Sequence, residues 1–400
     1  MAIKNVSIIG MGALGILFGQ HFTEKMGNQS VAFVANEKRI EKFKHTRVHC
    51  NGKECDFRMV SDWLQEKPAD LVIFAVKSTA LDEALETAKY QIGKDTIIIS
   101  LLNGISSEQI IGARFGMEKI IHCVALGMDA VKTGNDLTYT KMGQLCVGIL
   151  PDDTEKVGKL NTLCEFFDEI GLPYTKEDDI LHRLWNKFML NVGVNQAVMV
   201  YEGTYETIQK PGEAREVMIG AMREVMELAH YEGVKLTIDD LMAYVDLMGT
   251  LSPDGMPSMR QDGLAKRKSE VELFSGTVLK LAEKHGLKFP INTMLYEKIH
   301  DMETGKIVQS GFFDVSEIHL DDVLEKLMEH SVHEDKIIRS ILQYEIEKSY
   351  TVDAKIKIIQ CFDQLDPNSD LKKIMTKFVR ANANHPNSKV RKEARNFLNK

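Results

Sequence analysis

The sequence predicts an α/β fold: an N-terminal doubly wound sheet, then an all-helical domain, then an additional helical C-terminal extension. Three observations predict it. Short apolar runs alternate with helical segments over the first 150 residues, as in sheets whose strands are buried on both faces. Beyond the turn signal Pro151-Asp152-Asp153, strand runs nearly vanish and helical periodicity takes over. From Lys306 to Lys400 the texture changes again, into short amphipathic segments with polar breaks. At roughly 150 residues per domain, the 400 residues divide as 1–150, 151–305 and 306–400.

The elements follow in order. Asn5–Ile9 (NVSII) is a strand ending at a glycine, and Ala13–Met26 is a helix. Val31–Val34 is the second strand. Leu71–Val76 is the third, with helix-like Leu81–Tyr90 behind it. Ile97–Leu102, Ile120–Leu126 and Leu145–Ile149 are the fourth to sixth, and the alternation argues a parallel sheet. Helical spacing then covers Val157–Ile170, Ile180–His230, Ile238–Leu247, Leu264–His285 and Asn292–Met302, with a loop at Thr250–Pro257. In the extension, breaks at Ser349-Tyr350, Asp366-Pro367-Asn368 and His385-Pro386-Asn387 separate four or five short helices. The last segment, HPNSKVRKEARNFLNK, is similar to the second helix of a HEAT-type repeat, without a demonstrable period. A helical appendage that packs on the core or on a partner is the plainer alternative.

Composition excludes several classes. A hydrophobic fraction of 44% and a charged fraction of 27% are globular values and exclude wholesale disorder. No run approaches the roughly 18 apolar residues of a membrane helix, and the N-terminus lacks a signal-peptide layout. The six cysteines include no C-x-x-C pair, so neither a disulfide framework nor a metal site is expected, and reduced thiols in a cytoplasmic protein are. With 50 basic against 58 acidic side chains, net −8, a nucleic-acid groove is disfavoured, although a local basic pocket for one phosphate is not.

Gly10-Met11-Gly12-Ala13-Leu14-Gly15 is G-x-G-x-x-G, placed after a strand and opening a helix. Gly10 allows the tight turn, Gly12 lets the backbone approach a pyrophosphate, and Gly15 lets helix and strand pack closely. The N–H groups of the helix start, from Ala13 and Leu14 onward, offer a positive dipole end to the anion. An acid that binds the ribose 2′-hydroxyl is expected about 20 residues on. The second strand instead ends at Asn36, followed by Glu37, Lys38 and Arg39. Asn36 can bond a hydroxyl or a phosphate, and Lys38 and Arg39 can neutralise a 2′-phosphate. That points to NADP (NADPH) ahead of NAD, against the alternative of solvated charges at a helix start.

In HRLWNKFMLNVGVNQAV (His182–Val198), Lys187, Asn191 and Asn195 are spaced i, i+4, i+8 on one helix face among apolar neighbours. Such groups must be hydrogen-bonded or wet. A cleft binding a carbonyl and a carboxylate would satisfy them, and so would an exposed polar stripe. In PSMRQDGLAKRKSEVELFSG, Ser258 stands near a helix start and Glu270 follows at helical spacing. A glutamate facing apolar residues needs a partner such as Lys187; taken alone, Glu270 reads as a solvated helix charge.

These blocks together resemble the ketopantoate reductase family over roughly residues 3–303. They are the Gly10–Gly15 turn, the Leu184-Trp185-x-Lys187-x-x-x-Asn191-x-x-x-Asn195 helix, and Ser258-Met259-x-Gln261-Asp262 followed by Glu270 and Gly276. Val76-Lys77 and Asn103-Gly104, ending the third and fourth strands, are smaller matches. The resemblance implies a Rossmann domain, a helical domain and an active site in the cleft between them. It implies NADPH-dependent reduction of 2-dehydropantoate to (R)-pantoate, on the way to pantothenate and coenzyme A. By position, Lys187 would be the catalytic lysine and Glu270 its orienting carboxylate. Asn191, Asn195 and Ser258 would hold the substrate. Asn103 would lie beside the cofactor's ribose and nicotinamide, and Lys77 at the mouth of the cleft.

Three departures stand out. Asn36 replaces the arginine that many members carry, Gly255 replaces an asparagine three residues before the serine, and the extension has no counterpart in the family fold. A reductase of another small 2-oxo acid, and a dinucleotide-sensing scaffold using the C-terminal helices, are the alternatives. A relative of the 6-phosphogluconate or hydroxyacid dehydrogenases would share the lysine-asparagine helix but not the Ser258–Glu270 block. The sequence leaves two assembly options open: a homodimer, and a protein partner for the C-terminal helices.

Overall fold

The computed structural model describes residues 2–65 and 67–305 and, beyond them, 356, 359, 360, 376, 379, 380, 382–384 and 387–399. By compactness the chain divides into two units. The first comprises Met1–Asn191, Ala229–Lys235 and Ser269–Leu281; the second comprises Val192–Leu228, Leu236–Lys268 and the residues from Ala282 onward.

The first unit opens with β1 (Val6–Ile9), α1 (Ala13–Met26), β2 (Val31–Ala35) and α2 (Glu37–Lys44). Short strands β3 (His49–Cys50) and β4 (Lys53–Glu54) precede β5 (Arg58–Ser61) and β6 (Leu71–Phe74). Then come α3 (Leu81–Ala88), β7 (Ile97–Ser100), α4 (Ser107–Phe115) and β8 (His122–Leu126). The hairpin β9 (Val131–Thr133) and β10 (Asp136–Thr138) leads to β11 (Gln144–Gly148), α5 (Val157–Glu169), β12 (Tyr174–Lys176) and α6 (Ile180–Leu190).

The principal sheet is parallel, in the order β5-β2-β1-β6-β7. Val6 of β1 is level with Val31 on one side and Leu71 on the other. Strand side chains point alternately to opposite faces, and here both faces are buried. Val6 and Ile8 join Phe18 and Phe22 of α1 and Phe33 of β2 in one core. Ile9 joins Val34, Phe74, Leu81, Ala84 and Ile111 in the other. Helices on both faces of a parallel sheet are the doubly wound architecture expected above.

Two features differ from the sequence expectation. The fifth and sixth apolar runs do form strands, but β8 pairs antiparallel with β11 in a separate sheet, β12-β11-β8. Its link to the principal sheet is a single bridge, Ile98 to Ile120. An apolar run specifies burial and not its partner, and the connection from β8 to β11 holds the β9–β10 hairpin and no crossover helix. The fifth strand of the principal sheet is instead β5, whose RMVS sequence is half polar because it lies at the sheet edge. β12 is a strand within the zone read as helical.

In the second unit, α7 (Gln196–Val200), α8 (Tyr205–Gln209) and α9 (Glu213–Tyr231) are followed by α10 (Ile238–Thr250) and α11 (Ser258–Leu264). After α12 (Thr277–His285), α13 (Pro290–Thr304) is capped from within. Buried Glu224 of α9 accepts from the N–H groups of Ile291 and Asn292 at 2.9 and 2.8 Å. A carboxylate at a helix N-terminus satisfies free N–H groups and complements the dipole. Most of the proposed extension, 306–400, and its HEAT-like reading lie outside the described residues; Ser388–Leu398 within it is a helix. Among the described residues no helix is long and apolar enough to cross a membrane.

Candidate active site

The glycine turn joins β1 to α1. Gly10 has φ +108°, and a Cβ there would lie 2.6 Å from Ala75 O. A Cβ on Gly15 would lie 2.2 Å from Gly10 O, so the third glycine is demanded by helix–strand packing. Gly12 differs: its Cβ would meet only Ala75 O, at an ordinary 3.6 Å. The protein itself does not need glycine there; an anion approaching the backbone would. Gly12 caps α1 without a side chain, and α1 has no acid in its first turn, so the N–H groups of Ala13, Leu14 and Gly15 remain available to a phosphate. The turn therefore fits a dinucleotide pyrophosphate.

Asn36 ends β2 and caps α2, its Oδ1 accepting from Arg39 N at 2.9 Å. Asn36 Nδ2 and Arg39 Nη2 both donate to Glu83, on α3, at 2.9 Å. Gly10, Asn36, Arg39 and Glu83 line one small pocket. Lys38 and Lys77 are exposed. The carboxylate at this position comes from another helix, Glu83 of α3. No local spacing announces Glu83.

α6 carries Trp185, Lys187 and Phe188 and continues into a π-helical segment, Asn191–Asn195. Such bulges hydrogen-bond i to i+5 and recur at functional sites. Lys187 and Asn191 keep the α-helical i, i+4 relation, and the wider π turn, of more than four residues, still leaves Asn195 close to the same face. Asn191 and Asn195 are 9% and 6% exposed, so the exposed-stripe alternative does not hold. The unit boundary falls between Asn191 and Val192.

Within the first unit the structure brings together Lys187, Glu270 and Asn103. Lys187 Nζ donates to Ala125 O of β8 at 2.8 Å. Burial pushes its pKa down to about 8, with the Glu270 and Glu108 carboxyls acting the other way. Asn103 Nδ2 donates to Glu270 Oε2 at 3.3 Å. Gly104 makes this approach feasible: its φ is +89°, and a Cβ there would lie 2.7 Å from Leu273. Glu270 stands in a bend before a second π-helical segment, Glu272–Gly276, rather than on the continuous helix expected over Leu264–His285. It is half-buried, not a solvated helix charge.

Within the second unit, Asn195 Oδ1 accepts from Ser258 Oγ and from Met259 N, both at 3.2 Å. This bond pins the start of α11 to the end of the π segment. A Cβ on Gly255 would lie 2.9 Å from the Tyr205 ring, so a larger side chain has no room there without rearrangement.

The sequence reading missed Glu83.

A model of ketopantoate reductase PanE/ApbA matches residues 6–152, and one of its C-terminal part matches 179–303. A 2-dehydropantoate 2-reductase of Streptococcus pyogenes serotype M3 is 23% identical over 303 residues, covering 74% of this chain and 97% of that protein. The solved structure of D-mandelate dehydrogenase with NADH and anilino(oxo)acetate aligns with TM-score 0.69 at 23% identity, covering 76% of this chain and all of that one. A PanE/ApbA family ketopantoate reductase from Ralstonia eutropha JMP134 aligns with TM-score 0.66 at 23% identity, covering 76% and 99%. At such identities the structural likeness establishes the fold.

Proposed function

We propose that this chain, which belongs to the ketopantoate reductase family, reduces the ketone of 2-dehydropantoate to (R)-pantoate with NADPH. The desolvated Lys187 amine, anchored on Ala125 O and acted on by the Glu270 charge, carries this reading. When bound, the reduced nicotinamide supplies the hydride. Lys187 hydrogen-bonds the ketone oxygen and gives it a proton as negative charge develops there. A pKa of about 8 leaves the amine mostly protonated at neutral pH, yet a stronger acid than an exposed lysine. Glu270 orients Lys187 and accepts from the substrate hydroxyl. Asn191, Asn195 and Ser258 hold hydroxyl and carboxylate groups. Gly10, Gly12, Ala13, Leu14 and Gly15 cradle the pyrophosphate, Asn103 and Lys77 border the cofactor, and Asn36, Lys38 and Arg39 receive the 2′-phosphate.

Two observations each favour a neighbouring reading. Gly255, packed against Tyr205, removes one substrate contact and favours another small 2-oxo acid. Glu83, bonded to both Asn36 and Arg39, favours NADH, because a carboxylate there accepts a ribose hydroxyl and repels a phosphate. One experiment tests all three: purified protein with NADPH or NADH against a panel of 2-oxo acids. Rapid NADPH oxidation with ketopantoate alone supports the proposal. Turnover with other acids, or with NADH, selects the neighbouring readings. Saturable nucleotide binding without oxidation by any acid removes the enzyme and leaves a sensing scaffold.

A further inference from the structure

The second unit holds a cavity of about 1130 Å³ that the chemistry above does not use. The end of α7, α11, the end of α13 and Glu213 of α9 wall it. The Asn195–Ser258 bond lies at the starts of α7 and α11, and neither residue is among the described lining residues. Sites for small molecules occupy roughly 300–1,000 Å³, so the cavity has room for one.

Its walls are of two kinds. Met199, Val200 and Tyr201 at the end of α7 and Met302 on α13 make an apolar side. A Cβ on Gly263 would lie 2.7 Å from the Met199 thioether, so α11 packs close here. Methionine adapts its shape to varied apolar bodies. The other side is cationic. Arg260, Lys266, Arg267, Lys268 and Lys298 stand against the carboxylates of Glu202, Glu213 and Glu303. The excess is positive, on a chain of net charge −8.

Part of this charge is already bound. Arg260 Nη2 donates to Glu202 O at 2.9 Å, and its Nη1 is 3.8 Å from Glu202 Oε1. Arg267 Nε donates to Asp262 Oδ1 at 2.8 Å. Lys266 and Lys268 are exposed, and neither ammonium has a partner among the described residues.

The backbone adds an independent observation. Among the described residues, three besides glycine have positive φ, and two of them, Glu202 at +51° and Lys266 at +52°, border this cavity. Both follow a helix end closed in the same way. After α7, Glu202 N donates to Met199 O and Gly203 N to Val198 O, each at 3.1 Å. After α11, Lys266 N donates to Gly263 O at 3.0 Å and Arg267 N to Asp262 O at 2.9 Å. Such a closure favours glycine at its left-handed position, because a Cβ is crowded there. Both positions carry a charged side chain instead, so the backbone does not account for the residue type.

We propose that this cavity binds an amphiphilic anion. Its apolar body rests on Met199, Tyr201 and Met302, and its ionised head (carboxylate, phosphate or sulfonate) sits at Lys266 and Lys268. Burying the body removes apolar area from water, and the head supplies the negative charge that the two ammonium groups lack. Such binding needs neither the nucleotide turn nor Lys187, so it stands or falls apart from reduction.

The test titrates 8-anilinonaphthalene-1-sulfonate into the full chain, read by fluorescence with NAD⁺ and NADP⁺ in excess. Binding saturates at one probe per chain. Lys266→Gly together with Lys268→Gln weakens it about fivefold, while Tm holds, because glycine suits φ +52°. N-phenyl-1-naphthylamine, the same body without the sulfonate, binds more weakly and does not respond to the two substitutions. If the double variant does not fold, Lys268→Gln alone, at an exposed position, decides. Fluorescence that never saturates overturns the proposal. So does saturation seen only without the nucleotides, which places the probe at the glycine turn, and so does an affinity that the lysine substitutions leave unchanged. A neutral probe bound as tightly as the charged one removes the anion and the proposal with it.

Discussion

The Gly10–Gly15 turn and the surroundings of Lys187 handle charge with different materials. The turn uses backbone: six consecutive residues, a helix dipole, and glycines whose value lies in the side chains they lack. The lysine site uses side chains and one carbonyl, from Asn103, Ala125, Lys187 and Glu270, which are far apart in sequence. A backbone site has no proton to lose, so its electrostatics do not change with pH. A desolvated amine between carboxylates does titrate, and burial sets where.

That contrast can be broken most forcefully at the lysine. Lys187→Ala lowers kcat by about 10²–10⁴, the range for losing a general acid, while dinucleotide affinity measured by fluorescence titration stays unchanged. A parallel loss of affinity would mean that the two sites are not separable. The next largest effect divides the glycines. Gly15→Ala puts a Cβ against Gly10 O and destabilises the fold by about 1–3 kcal/mol, read as a lower Tm. Gly12→Ala, with room for its Cβ, leaves Tm in place and weakens dinucleotide binding roughly tenfold. A Tm drop in the Gly12 variant would remove the ligand as the reason for that glycine.

The pH dependence sharpens the comparison. With the ammonium as the proposed proton donor and its pKa lowered to about 8, reduction is expected to fall as pH rises through about 8. Nucleotide binding at the turn stays level over the same range. A fall centred near the ordinary lysine value would show that the amine is not desolvated. The smallest effect is at the rim of the nucleotide pocket. Asn36→Ala removes an N-cap and costs about 1 kcal/mol in chemical denaturation. The exposed Arg39–Glu83 pair beside it adds little of its own.

Much of the first unit was legible. Ala13–Met26 is a helix as read, and β1, β2, β6 and β7 lie where the apolar runs placed them. Twofold and 3.6-fold periodicities are local, and strands buried on both faces have little else to be. Partner choice was not legible: nothing in Ile120–Leu126 says that it pairs with β11 and leaves Ala125 O to Lys187. Nor do the π-helical segments announce themselves. The regular spacing of Lys187, Asn191 and Asn195 suggested an uninterrupted helix, but at Gly193 a Cβ would lie 2.4 Å from Met222, so the wider turn sits against tight packing.

By itself the sequence determined the Gly10–Gly15 turn, because the strand–turn–helix context is local and the clash of a Gly15 Cβ with Gly10 O lies within the motif. Tertiary structure alone decided the protonation of Lys187 and the partners of Asn36. A pKa depends on the water removed and the charges gathered around a group, and both are properties of distant segments brought together by folding.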